Sequence, residues 1–321
     1  MKCVRLVAAT LILAAIPVFA NIVPVLGTAQ TFAVLGASTV TNTGPTTAIG
    51  DVGLYPGPSI VGFLPANTVV QGPGSTGLVA GPGLVTGTIR ISDIAGAVNA
   101  MQGQADLIVA YNALAALPYT SDYTGQDLGN YHTGASGALP PGVYNFDTSV
   151  GITGTLELDA QNTDGACWVF QIGTTLDTAA SNSVVKLINA NVAGNNGSDI
   201  GVFWLVGSSA TLGTSTTFEG NILAYTSITV NNAATINNGR ALAENGAVTL
   251  DTNSIVNICP LNNNGPGFSG GLVFADERRL TLIPIPIVPG VPEPATFAVL
   301  ALGLVTLCTR GLRGKSAAAV L

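Results

Sequence analysis

Charged side chains are scarce in this chain of 321 residues, at 8%, and basic ones are scarcer than acidic ones. Five of the ten basic residues (Lys2, Arg5, Arg310, Arg313 and Lys315) sit at the two ends. Between 21 and 290 only Arg90, Lys186, Arg240, Arg278 and Arg279 remain, against every acid of the 17 except Glu293. Such a surface repels phosphate backbones and argues against a nucleic-acid partner. There is one histidine, His132, so a Ser-His-Asp trio would have to use it with Ser136 and Asp127. A surface-loop histidine explains it more simply. No Cys/His metal spacing or phosphate-cradling glycine loop occurs. Glu157, Asp159 and Asp164 have the oxygen chemistry for Ca²⁺, though solvated loop acids fit them better. The chain is expected not to be an enzyme and to need no cofactor.

What the chain has instead is 40 glycines and many Thr, Val, Ala and Asn, a mixture suited to short strands and tight turns. One short phrase recurs: Thr175-Leu176-Asp177-Thr178, Thr211-Leu212-Gly213-Thr214, Thr229-Val230-Asn231-Asn232 and Thr249-Leu250-Asp251-Thr252. The last three follow at steps of 18 and 20 residues, and Leu205, Leu223, Leu242 and Phe218, Ile236, Ile255 keep the same beat. A fixed period near twenty marks coils stacked on copies of themselves, a β-solenoid. Side chains alternate along a strand, so Leu212, Val230 and Leu250 should point inward and the threonines outward. The outward column predicted this way is Gly151, Thr175, Thr211, Thr229 and Thr249. Thr153, Asp177, Gly213, Asn231 and Asp251 flank it on one side; Ser149, Ser209, Ser227 and Ala247 flank it on the other. A shorter outward column, Thr217, Thr235 and Ser254, is a rival face. Threonine is favoured in strands for its own sake, so the column specifies a fold before it specifies a site.

One segment breaks the β pattern. Ser92-Asp93 can cap a helix, and Ile94, Ala97, Val98, Met101, Ala105, Ile108, Tyr111 and Ala115 recur at three- and four-residue steps. This predicts one helix over about 92–117, lying along the solenoid and covering one side. Residues 261–290 are rich in Asn, Gly and Pro and read as an extended spacer.

Both ends read as addresses. Lys2 and Arg5 precede the apolar run Leu6–Ala15 and the small-residue site Val18-Phe19-Ala20, so 1–20 reads as a secretory signal. Val291-Pro292-Glu293-Pro294, the apolar stretch Ala295–Cys308 and a basic end resemble the PEP-CTERM sorting tail of Gram-negative bacteria. That resemblance, over 291–321, implies transient recognition by an exosortase-type protease and an exported, cell-surface or extracellular protein. A permanent single-span transmembrane anchor is the alternative. Removing both ends leaves Cys167 and Cys259, for which an export route permits a disulfide, although two cysteines so far apart in sequence are more simply read as two buried free thiols.

The body, 21–260, carries a second resemblance. Thr31-Phe32-Ala33-Val34-Leu35-Gly36, Gly50-Asp51-Val52-Gly53 and Tyr111-Asn112-Ala113-Leu114 are followed by Pro141-Gly142-Val143-Tyr144. Val169-Phe170-Gln171-Ile172-Gly173 and Gly239-Arg240-Ala241-Leu242-Ala243 complete the series. In this order and spacing they resemble the microbial ice-binding (antifreeze-like) family, across roughly 28–259. The resemblance implies a right-handed, three-sided β-solenoid with one long helix alongside and coils stacked out of sequence order. It also implies a monomer that adsorbs to ice crystals through one flat face. Asp177 and Asp251 depart from a pure Thr/Ser/Ala surface, because a hydrated carboxylate fits an ice plane poorly. The other reading is a structural or adhesive protein of the cell surface or exopolysaccharide matrix, with no ice activity.

Overall fold

The computed structural model describes residues 26–64, 69–93, 99–163, 166–178, 182–190 and 200–257, and the backbone of Leu272–Asp276 and Arg279–Leu282. The signal, the Pro292-Glu293-Pro294 motif, the tail and Cys259 lie outside the described residues, as do Ile94, Ala97, Val98 and Asp164.

Three parallel sheets of ten, eight and seven strands make up the domain. The chain visits them in rotation. Gly201–Val206 belongs to the ten-stranded sheet, Ala210–Leu212 to the eight-stranded sheet and Thr217–Glu219 to the seven-stranded sheet. The next circuit follows with Asn221–Ala224, Ile228–Val230 and Thr235–Asn237. Left-handed residues at matched corners, Ser215, Ala233 and Thr252, let the chain bend between the second and third sheets. The period near twenty is one such circuit.

The stacking is not sequential. Phe32–Gly36 pairs on one side with Ala241–Ala243 and on the other with Asp51–Leu54. Val40–Asn42 likewise joins Val248–Leu250, and Thr47–Ile49 joins Ser254–Val256. The first coil of the chain is thus docked on its last, which leaves the circuits around Tyr144 and Leu84 at opposite ends of the stack.

Alternation fills the interior as expected. Leu212, Val230, Leu250, Phe218, Ile236 and Ile255 are all buried in one continuous core. Tyr144, Phe170 and Trp204 occupy matched positions on successive strands, and the Phe170 and Trp204 rings stack at 3.9 Å and 9°. Trp204 also donates its indole N–H to the Glu219 carbonyl at 2.9 Å, so no polar atom of the ring is stranded.

The central strands of the ten-stranded sheet are buried on both faces. Its outward side chains, among them Leu35, Val169, Phe203, Leu205, Leu223 and Leu242, pack under the helix and form a second apolar cluster. This is why these strands read as unbroken apolar runs, while the other sheets alternate. The helix spans Ala100–Ala115, later than 92–117, and buries Ala100, Gly103, Gln104, Leu107, Ala110 and Leu114. The predicted face is therefore corrected: Met101, Ala105, Ile108 and Ala115 are exposed. Leu107 and Leu114 carry the contact together with small and amide side chains, with Gln104 Nε2 donating to the Gly36 and Ala243 carbonyls at 2.9 and 3.1 Å. Asn99 is the N-cap, and Asp93 reaches across to accept the Ala100 N–H at 2.7 Å. Cys167 lies in the same cluster as a free, buried thiol whose pKa burial raises.

The segment expected as an extended spacer contains a two-stranded antiparallel ribbon, Leu272–Asp276 with Arg279–Leu282. Among the described residues no helix is long and apolar enough to cross a membrane.

Candidate functional face

The eight-stranded sheet presents one open face, and its register decides which side chains form rows. Consecutive partners across it are Gly151, Asp177, Thr211, Thr229, Thr249, Thr41 and Val61, with Val79 on the edge strand. Four threonines therefore stand side by side, each on its own strand, at the strand spacing of about 4.8 Å. Each is flanked by buried residues: Ala210 and Leu212 around Thr211, Ile228 and Val230 around Thr229, Val248 and Leu250 around Thr249, Val40 and Asn42 around Thr41. The β-branch at Cβ restricts χ1, so the row is ordered before anything docks on it.

This register corrects one site residue. Thr175 is not in the central row; Asp177 is. Leu176 pairs with Ala210 and not with Leu212, so the Thr-Leu-x-Thr phrase at 175 is offset by two residues from the one at 211. Thr178 then takes the inward place held by Leu212 in the next coil, where its hydroxyl meets Thr216 Oγ1 and the Gly213 N–H, both at 2.7 Å. A two-residue shift keeps side chains on the same face, so Thr175 still points outward. It joins the flanking row of Ser149, Ser209, Ser227 and Ala247, and the ladder bonds Leu176 N–H to Ser209 O, Ala210 N–H to Ser227 O and Ile228 N–H to Ala247 O trace that row. Val248 N–H to Thr39 O extends it to Thr39.

The other flank carries Thr153, Gly213, Asn231 and Asp251. Asp251 is drawn into its corner: its carboxylate accepts from Thr252 Oγ1 at 2.9 Å and from Asn232 Nδ2 at 3.2 Å. Among the described residues Asp177 has no such anchoring; it is exposed, and partial burial against the sheet raises its carboxyl pKa. Beside it the face sinks into a hollow of about 370 Å³, lined by Gly151, Thr153, Thr211, Gly213 and Asn231 among others. Sequence reasoning missed Thr41 as a member of the row. Only the docking of the first coil on the last brings it there.

The rival column on the seven-stranded sheet is longer than expected. Thr155, Val184, Thr217, Thr235, Ser254, Thr47 and Leu84 are successive partners. Its neighbouring row is charged and uneven. Glu157 accepts from Thr133 Oγ1 and N–H at 2.6 and 2.7 Å and meets Lys186 at 2.9 Å, and these bonds, those from Thr133 above all, hold its carboxyl down to about 2. Ile49 and Leu84 protrude at its far end.

The loop residues weighed for chemistry are engaged elsewhere. Asp127 Oδ1 accepts the Gly129 and Thr153 N–H groups at 2.8 and 2.9 Å, and His132 Nδ1 lies 3.1 Å from the Thr133 carbonyl oxygen. Asp159 Oδ1 accepts from Gln161 N–H and Asn189 Nδ2. Among the described residues no group of three His, Cys, Asp or Glu side chains converges on a metal site.

Residues 34–256 match the model of the ice-binding-like family. The chain belongs to that family. It is 42% identical over 286 residues to an ice-binding protein of Nostoc sp. (strain HG1), covering 89% of this chain and 85% of that one. Among solved structures, an ice-binding protein from the Antarctic ascomycete Antarctomyces psychrotrophicus superposes with a TM-score of 0.58 at 39% identity. That match covers 73% of this chain and 98% of the other. A domain of a Shewanella frigidimarina ice-binding protein gives a TM-score of 0.58 at 28% identity, covering 73% of this chain and 96% of that domain. The chain is mostly β, with parallel sheets and one α-helix among the described residues, and its structural neighbours are ice-binding proteins.

Proposed function

We propose that this protein adsorbs to ice through the open face of the eight-stranded sheet. The observation that carries the reading is the unbroken row Thr211, Thr229, Thr249 and Thr41. Strand spacing sets its repeat at about 4.8 Å, near a water-oxygen repeat on ice. Each hydroxyl anchors a water and each methyl orders the next, while the stiff χ1 keeps the entropy cost of docking low. Membership of the ice-binding-like family and the names of its relatives support the same reading. The rotation of the chain through three parallel sheets supports a three-sided solenoid, and the usual hand of parallel crossovers makes it right-handed. Adsorption uses no catalysis and no cofactor, and a monomer suffices.

The test is direct. The purified chain, in nanolitre freezing assays, should show thermal hysteresis and facet growing ice crystals. Round discs at high concentration of a folded, β-rich protein would remove the reading.

The residues at the ends favour a second, compatible role at the cell surface. The signal-like Lys2–Ala20 and the Pro292-Glu293-Pro294 tail support export from a Gram-negative cell, processing by an exosortase-type protease and retention near exopolysaccharide. With ice activity absent, structural or adhesive service in that matrix is the reading that remains.

A further inference from the structure

We propose that Asp177 limits the ice-contact area, confining docking to the four-threonine platform and excluding the coil around Gly151. The inference rests on the ice-binding reading of this face.

Asp177 occupies the central row between Gly151 and Thr211, at the one place in that row where a carboxylate stands. A threonine hydroxyl both donates and accepts, as a lattice water does, whereas an ionised carboxylate only accepts. It also holds a hydration shell whose removal is costly. The position next to it adds a second defect. Gly151 has no side chain, and Gly213 leaves the flank equally bare, so the surface falls away into the hollow that Asp177 lines. Water in that hollow is organised by a charge and a concave wall, not by a flat ladder. On the other side of Asp177 the row continues without interruption through Thr211, Thr229, Thr249 and Thr41, and then through apolar Val61 and Val79. The face therefore divides at Asp177 into a flat platform and a charged notch.

The backbone itself does not impose this division. A Cβ added at Gly151 would meet nothing within 4 Å, and Gly151 does not sit in the left-handed region. Asp177 is exposed in a short strand whose partners on both sides are outward-facing. Both positions can accept threonine in the extended conformation that β-branched side chains favour. The ladder could then run six threonines deep without moving the sheet.

The experiment uses the full chain with Asp177→Thr, Asp177→Asn and the double variant Asp177→Thr/Gly151→Thr, comparing thermal hysteresis at equal protein concentration. Asp177→Thr should raise hysteresis about twofold, since another rung joins a platform that is already ordered. The double variant should rise further. Asp177→Asn, which removes the charge and keeps the shape, should fall between parent and Asp177→Thr. Thermal melts identify any variant that fails to fold, and Asp177→Asn guards against losing the test that way. A faceting parent whose folded Asp177→Thr and Asp177→Asn variants show no gain overturns the proposal alone. Round discs from the parent and every variant overturn it together with the ice-binding reading.

Discussion

Thr41 and Thr249 are direct register partners on adjacent strands, although they lie near opposite ends of the domain's sequence. The pairing is possible because the first coil docks on the last. Its ladder continues through Thr47 N–H to Asn253 O, and the Asn253 N–H returns across the join to Thr46 Oγ1 at 3.0 Å. The same closure that seals the open end of the repeat also lengthens the threonine row by one rung.

A substitution at Thr41 should therefore behave as one within the row, not as one in a remote N-terminal strand. Thr41→Tyr puts a ring above the platform and should abolish most of the hysteresis. Stability should change by about 0.5 kcal/mol, as for outward positions generally. Hysteresis at the parental level, from a variant with an unaltered melt, would detach the first coil from the site.

The interior should respond in the opposite sense. Trp204 is fully buried and stacked on Phe170, so Trp204→Ala removes a large ring that the rigid coils cannot close around. Losses of about 3–5 kcal/mol accompany such truncations. Urea titration would measure the loss, and a change under about 1 kcal/mol would show that the stack is not part of the stabilising core.

Glu219 gives the fold a pH dependence. Burial raises its carboxyl up to about 7, partly offset by the bond from Asn238 Nδ2 at 2.8 Å. The folded state then holds a proton that the unfolded chain releases nearer 4.5. Its effect on stability is most favourable below about pH 4.5 and is lost as pH rises through 7, by at most about 3 kcal/mol. Glu157 runs the other way, since its low pKa contributes stability above 4.5 that disappears only as pH falls toward 2. Between pH 4.5 and 7 the slope specific to Glu219 is isolated by comparing parent with Glu219→Gln. The variant should lose less stability over that interval, and parallel curves would contradict the assignment.

The ends make a chemical prediction. Mass spectrometry of the exported protein should find a start near Asn21 and no residues beyond the Pro292-Glu293-Pro294 motif. A species retaining Arg310 to Leu321 in the outer envelope would favour a fixed anchor.

Much of this was legible in the residues because period and alternation are local. The steps between Thr211, Thr229 and Thr249 report the circuit length, and their buried neighbours report the inward face. Three features were not legible, each for a physical reason. The Thr175 phrase looks like its successors, yet hydrogen-bond register, not letter similarity, decides which residues sit together, and Asp177 takes the row. Thr41 joins through a contact between chain ends that no period encodes. The helix buries Gly103, Gln104 and Ala110 along with Leu107 and Leu114 because it lies close over the apolar sheet, and Met101 and Ile108 are turned outward.

The most direct test sets one ring on each candidate face. Thr229 stands between Thr211 and Thr249 on the eight-stranded sheet, and Thr235 stands between Thr217 and Ser254 on the seven-stranded sheet. Both point outward, so Thr229→Tyr and Thr235→Tyr should each alter stability by only about 0.5 kcal/mol. Thermal hysteresis should collapse in Thr229→Tyr and stay at the parental level in Thr235→Tyr. Full activity in Thr229→Tyr, with loss in Thr235→Tyr or in neither, would contradict the account of this face.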